Sequence, residues 1–167
     1  GSPFFFTVAV IPYFMHKLGK REEMAIVYIL IGLPGAGKTT YAETKLGDAL
    51  CIGTDMIRKE YFGKEMTPRG YVRVRRELVR RVAKTAASGI DVAVDCTNLT
   101  KKRRKRLLAA LPDDCTAIAV WINTPLKMAL TNNASRTRHV PVLGIISLSL
   151  FLQRPEMTEG FSEIRII

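Results

Sequence analysis

Residues 32–39 read Gly-Leu-Pro-Gly-Ala-Gly-Lys-Thr and fit the spacing G-x-x-x-x-G-K-[ST]. That spacing suits one kind of chemistry. Glycines let a backbone curl with its N–H groups turned inward, and a helix starting just beyond adds a partial positive charge, so the two together cradle phosphate oxygens. The amides of Gly35, Ala36, Gly37 and Thr40 would line such a cradle. Lys38 would reach the β- and γ-phosphates of a nucleotide, and the Thr39 hydroxyl would ligate Mg²⁺. The bland alternative is a glycine-rich turn that matches by accident, and the position of the loop, between an apolar run and a helical stretch, argues against it.

Transfer of a phosphoryl group to an alcohol also requires a group that takes the hydroxyl proton. Asp55, in "IGTDMIR", follows a short apolar stretch, with Arg58 three residues on and on the same helical face. A carboxylate and a cation side by side suit a hydroxyl and its neighbouring phosphate; a plain helix cap with a surface arginine is the alternative. Asp95 closes the apolar run "IDVAVD", the position of a Mg²⁺-associated acid, although strands ending in Asp are common. Thr97 and Asn98 follow at once, either as contacts to a substrate phosphate or sugar or as ordinary turn residues. Arg136 and Arg138, in "NNASRTRHVP", are placed to neutralise charge over the donor phosphates, or are simply solvated.

These residues need a frame. Residues 25–31 form an apolar, β-branched run that predicts a strand buried on both faces. A helix over 38–46, a strand over 49–53, a helix over 55–62 capped by Asp55 and a long helix over 71–88 follow. In that long helix Tyr71, Val74, Leu78, Val82 and Ala86 share one face, and Arg73, Arg76, Arg80 and Lys84 lie along another. Further strands are expected at 90–95, 116–122 and the C-terminal "SEIRII", with helices from Thr100 to about 111, from Pro125 to about 135, and over 145–152. Such alternation predicts an α/β fold, a parallel sheet with helices on both faces and ligands beyond the carboxyl ends of its strands.

A chain of 167 residues suits one domain. Its 26 Lys and Arg against 15 Asp and Glu give a net charge of +11, a surface that attracts polyanions. The three cysteines, Cys51, Cys96 and Cys115, match neither a zinc site nor a redox pair and read as reduced, buried thiols in a cytoplasmic protein. Residues 1–23 are expected to be an appendage to a domain covering 24–167. Gly1 and Ser2 read as a cloning remnant and Met24 as an internal start. The apolar run there is broken by Pro12, is shorter than the roughly 20 residues a bilayer requires, and lacks the basic start of a signal peptide.

In order, "GLPGAGKTT", "TDMIRKEYFG", "VDCTNLTKKRRKRLL", "NNASRTRHVP" and "EGFSEIRII" resemble the kinase domain of polynucleotide 5′-hydroxyl kinases and their close P-loop relatives, over about residues 25–167. The resemblance implies a P-loop NTPase of the nucleoside-monophosphate-kinase-like kind: three layers, four or five parallel strands and a short arginine-bearing lid. It implies ATP with Mg²⁺ as donor and the 5′-hydroxyl of DNA or RNA as acceptor. Asp55 would be the general base, Arg58 and Thr97 would hold the acceptor's phosphate, and Lys38, Thr39 and Arg136 would act on the donor. Two departures stand out. Asn132 and its neighbour occupy a place where relatives often carry arginine, and Val142-Leu143-Gly144 replaces acidic residues. The second implies a helix that packs differently, against the N-terminal appendage or in a homo-oligomer through 142–152.

Between positions 58 and 106 there are 16 Lys and Arg and 5 Asp and Glu. The run "KKRRKR" at 101–106 follows the acceptor loop, which favours a nucleic-acid strand held through its phosphates, with Tyr61, Phe62 and Tyr71 as stacking candidates. Two other readings stay open. One is a small-molecule kinase of the same architecture, similar to zeta-toxin-like sugar-nucleotide kinases or antibiotic phosphotransferases. The other is a nucleotide-dependent binding module with no acceptor.

Overall fold

A computed structural model describes residues 24–64, 69–137 and 139–167. The expected appendage, 1–23, lies outside the described residues, as does Arg138.

The chain alternates strand and helix as the apolar periodicity requires. Strand β1 (Ile26–Ile31) leads through the glycine loop into helix α1 (Lys38–Lys45). Then come β2 (Leu50–Gly53), α2 (Thr54–Phe62), α3 (Tyr71–Ala87) and β3 (Val92–Asp95). The second half holds α4 (Lys101–Leu108), β4 (Thr116–Trp121), α5 (Leu126–Ala134), α6 (Val142–Leu150), a 3₁₀ turn (Met157–Glu159) and β5 (Glu163–Ile166). The five strands pair in the order β2-β3-β1-β4-β5, and every pairing is parallel. Because β1 is central and the chain crosses it between β3 and β4, the carboxyl end of β1 is a topological switch point, where such sheets open a crevice for ligands.

Alternating side chains of β1 serve two cores. Val27, Ile29 and Ile31 join Ile57 of α2, the stripe Val74, Leu78, Val82 and Ala86 of α3, and Leu107 of α4 on one face. Leu30 joins Ala42 and Leu46 around α1 on the other. A third, smaller cluster, Leu33, Leu99, Ala129 and Ile145, sits over the mouth of the sheet and fastens α5 and α6 to the glycine loop.

Several expectations are corrected. Asp55 does not cap α2: Gly53 holds the cap position, and Asp55 lies in the first turn, bonded to Arg58. Helix α6 starts at Val142, earlier than 145, directly after Pro141 in the cap position, whose carbonyl accepts from the Ile145 amide at 3.1 Å. Strand β3 starts at Val92, later than 90, because the Asp91 carboxylate accepts from the Ile26 amide ahead of the ladder. Cys51 is exposed, not buried, while Cys96 and Cys115 are half-buried and all three are free thiols. Within "KKRRKR" the residue in phase with Leu107 and Leu108, Arg104, is fully buried.

Candidate active site

The glycine loop is shaped by what holds its carbonyls. Lys38 Nζ donates to the Leu33 carbonyl at 2.7 Å, Asn132 Nδ2 to that of Gly35 at 3.0 Å, and the Thr124 hydroxyl to that of Ala36 at 2.8 Å. The Ala36 amide also donates to the Leu33 carbonyl, at 3.1 Å, so of the amides expected to line the cradle this one is turned back into the loop. The first α-helical backbone bond of α1 is Tyr41 N–H to the Gly37 carbonyl at 2.9 Å, so the amides of Lys38, Thr39 and Thr40 precede the helical ladder. Gly35 is in the left-handed region, φ +82°, and a Cβ there would run into the Ala129 carbonyl oxygen.

Lys38 is buried, with 8% of its surface exposed. Burial pushes its ammonium down to about 8; Asp95 opposes this most, Cys96 and Asp55 more weakly, and Arg136 adds to it. Asp95, Asp55 and Arg136, all expected at the site, therefore sit within electrostatic reach of Lys38. The Thr39 hydroxyl donates to Asp95 Oδ2 at 2.8 Å, which brings the loop threonine and the strand-end carboxylate into one hard-oxygen pair. Such a pair suits Mg²⁺, which is held by one or two protein oxygens together with substrate phosphates. Among the described residues no group of three or more His, Cys, Asp or Glu forms a separate metal cluster.

The opposite side of the mouth follows from strand pairing. Gly53 lies opposite Asp95 in the β2–β3 register, and a Cβ on Gly53 would come within 2.8 Å of the Asp95 carbonyl oxygen. The missing side chain lets β2 end flush with β3, so α2 begins beside Asp95. Asp55 then stands at the mouth, and Arg58 Nη1 donates to its Oδ1 at 2.6 Å and to the Thr54 hydroxyl at 3.3 Å. Arg58 is the more buried of the pair, with 17% of its side chain exposed against 48% for Asp55.

Thr97 is half-buried beside the loop, and its carbonyl accepts from the Gly32 amide at 3.2 Å. Asn98 differs from the expectation of a substrate contact. It is 1% exposed with φ +46°, its amide is committed to the Leu30 carbonyl at 2.8 Å, and its Oδ1 accepts from the Cys96 thiol at 2.9 Å. It therefore holds the strand exit in shape. Arg136 is exposed after α5, with its backbone amide on the Asn133 carbonyl at 3.3 Å. Asn133 is itself buried and clasps both the amide and the carbonyl of Val140.

Some contributors were missed by sequence reasoning. Thr124, Asn132 and Gly53 carry no local signal, since their roles depend on distant partners. Arg104 did carry one, its helical phase. Its guanidinium donates to Glu159, which is also fully buried at its side chain, and to the carbonyls of Asn98, Leu99, Gln153 and Arg154. It ties the acceptor loop to the segment that follows α6.

This fold and this cradle define a P-loop domain with a nucleoside-monophosphate-kinase-like fold. The chain belongs to the AAA domain family, whose profile matches residues 27–143. Among curated proteins it is 22% identical over 158 residues to the bifunctional polynucleotide phosphatase/kinase of Schizosaccharomyces pombe, a match covering 87% of this chain and 34% of that protein. The chain thus spans about a third of that relative's length. Among solved structures it resembles a chain of the Pnkp1/Rnl/Hen1 RNA repair complex, with a TM-score of 0.68 and 17% identity over 81% of this chain and 46% of that one. It also resembles a gluconokinase from Sinorhizobium meliloti 1021, with a TM-score of 0.58 and 18% identity over 87% of this chain and 83% of that one. No described helix is long and apolar enough to cross a membrane.

Proposed function

We propose that this domain transfers the γ-phosphoryl group of ATP to the 5′-hydroxyl of a polynucleotide, DNA or RNA. The observation that carries this reading is the placement of Asp55, paired with Arg58, at the same sheet mouth as Lys38 and near enough for its charge to act on that ammonium. A nucleotide switch has no use for a carboxylate there, whereas in-line transfer to an alcohol does. The likeness to the yeast phosphatase/kinase and to the RNA repair complex supports a polynucleotide acceptor.

On this reading the amides of Gly35, Gly37 and Thr40 and the Lys38 ammonium grip the β- and γ-phosphates. Thr39 and Asp95 would hold Mg²⁺, which would supply positive charge to the donor phosphates. Asp55 accepts the 5′-hydroxyl proton as the new P–O bond forms and the bond to the β-phosphate oxygen breaks. Arg58 orients Asp55 and, with Thr97, receives the acceptor's phosphate. Arg136, with Arg138 beside it in sequence, covers the donor phosphates, the position in which an arginine is worth about 10³ to 10⁵ in rate in related chemistry.

One observation favours a second reading. The chain matches the gluconokinase over 83% of that protein but the polynucleotide-related chains over less than half of theirs, so a small hydroxylated acceptor fits a domain of this size. The deciding experiment offers γ-labelled ATP with Mg²⁺ to 5′-hydroxyl DNA and RNA oligonucleotides, beside nucleosides, sugar acids and sugar nucleotides. Label at oligonucleotide 5′ ends is expected. Label confined to the small molecules would replace this reading with the second.

A further inference from the structure

A cleft of about 750 Å³ opens between α2 and α3, lined by Tyr61, Tyr71, Arg73, Arg76, Glu77 and Arg80. Its volume falls in the range of clefts that bind ligands, yet it lies outside the phosphate cradle. Two features set it apart from an ordinary solvated helix face.

The first is the way cations and rings are interleaved. The Arg73 guanidinium lies 4.5 Å from the centre of the Tyr61 ring, and that of Arg103, from α4, lies 5.8 Å from the centre of Tyr71. Tyr71 is nonetheless 43% exposed, so ring surface remains open to a ligand. Among the described residues that line the cleft the one acid is Glu77, and it is neutralised from both sides: Arg80 binds both of its oxygens at 2.7 and 2.8 Å and Arg81 one at 2.7 Å, which hold its carboxyl down at about 2. What faces solvent beyond that cluster is positive, with exposed Arg73 and Arg76.

The second is continuity with the acceptor side. Tyr61 lies six residues beyond Asp55 on α2, about 9 Å along the helix axis. On the same helix α3, but outside the cleft lining, Arg75 donates to the Cys96 thiol at 3.4 Å, and Cys96 directly follows Asp95. Tyr71 stands one helical turn from Arg75. The cleft thus lies between the helix that carries Asp55 and Arg58 and the helix that reaches Cys96.

We infer that this cleft carries the acceptor strand beyond its 5′-terminal nucleotide, with bases stacked on Tyr71 and Tyr61 and phosphates drawn to Arg73 and Arg76. Aromatic rings beside a basic track bind single strands with little regard to sequence, since every base offers a π-face. The inference rests on a polynucleotide acceptor, and it adds that the protein favours single strands several nucleotides long over mononucleotides.

The test uses the full chain and a 3′-fluorescein, 5′-hydroxyl DNA 12-mer, read by fluorescence anisotropy. Tyr71→Ala is expected to weaken binding about ten-fold while Tyr71→Phe, which keeps the ring, binds as the unaltered protein does. Arg76→Ala should make the slope of log affinity against log salt shallower by about 0.7, the loss of one phosphate contact on a single strand. Lys127→Ala, on exposed α5, should leave that slope unchanged. Heparin has charge and no bases, so Tyr71→Ala should leave heparin binding as it was. Equal loss toward heparin, or full 12-mer affinity in both Tyr71→Ala and Arg76→Ala, would overturn the inference. Phosphorylation is scored separately. If no acceptor receives a 5′-phosphate, the kinase reading fails, and the anisotropy series still decides whether the cleft binds a strand.

Discussion

On the glycine-loop side of the site, carbonyls of Leu33, Gly35 and Ala36 are pinned by side chains from α1, α5 and the loop after β4, and Lys38 is buried among them. On the acceptor side Asp55 is half-exposed and its bond to Arg58 comes from its own helix, three residues on. Under the proposed function one half of the site is a mould for an invariant ligand part, a phosphate chain; the other presents the Asp55–Arg58 pair on a helix end. The difference suits a transferase that receives one donor and acceptors of varying length. Preorganised amides stabilise developing charge without moving, while a half-open base accommodates what arrives.

The largest expected effect separates the two halves. Asp55→Asn keeps the shape of the helix end and removes the proton acceptor, so kcat should fall by about 10² to 10⁴ with the nucleotide dissociation constant unchanged. Single-turnover transfer and calorimetric nucleotide binding check the two parts. Weakened nucleotide binding of the same size would mean that Asp55 belongs to the mould.

A stability effect of comparable free energy contrasts two arginines within the basic stretch. Arg104 is wholly buried with Glu159, whereas Arg76 is exposed. Arg104→Met strands the Glu159 carboxylate and should lower unfolding free energy by about 3–5 kcal/mol, while Arg76→Ala should stay within about 0.5 kcal/mol, both measured in urea. The double change Arg104→Met with Glu159→Leu should recover much of the loss, since an apolar pair replaces a buried ionic one.

That contrast also marks what the sequence discloses. The glycine loop is readable because its chemistry is local: eight consecutive residues carry both the turn and the charge. The sheet is readable because burial on two faces leaves apolar runs such as 26–31, and the stripe of α3 shows its period. Asp55 and Asp95 stand out as acids at strand exits. Hidden from sequence are features that depend on residues far apart: the Asn132 and Thr124 clamps, the close pass of Gly53 by Asp95, and the Arg104–Glu159 pair across 55 positions. "KKRRKR" reads as one solvated charge run until the helical phase of Arg104 is weighed against its charge. Asn98 looks like a substrate contact because an amide at a strand exit is the same residue type whether it faces a ligand or the Leu30 carbonyl.

A smaller effect follows from burial of Lys38. In the nucleotide-free protein its ammonium titrates near 8, below the usual lysine value because burial disfavours charge, and anionic phosphates would raise it again. Nucleotide binding should therefore be strongest below pH 8 and weaken above it by up to about ten-fold per pH unit, accompanied by proton uptake. Fold stability runs the other way: below pH 8 the nucleotide-free protein carries the full cost of a buried ammonium, and it is relieved of that cost as pH rises from 8 toward 10.5. Calorimetry at pH 8.5 in two buffers of different ionisation enthalpy reads the proton uptake. It should vanish in Lys38→Met.

The smallest effect probes whether the mould and the open side are independent. Asn132 holds the Gly35 carbonyl from α5, so Asn132→Ala frees one carbonyl of the loop without touching Asp55 or Arg58. A single neutral hydrogen bond is worth about 1 kcal/mol, which sets the expected loss in nucleotide affinity at about five-fold. The acceptor's KM should not change, because no bond of Asn132 reaches α2. A matched rise in acceptor KM would show that the loop and α2 shift together, and the two halves would then be one coupled site in which the donor's fit sets the acceptor's.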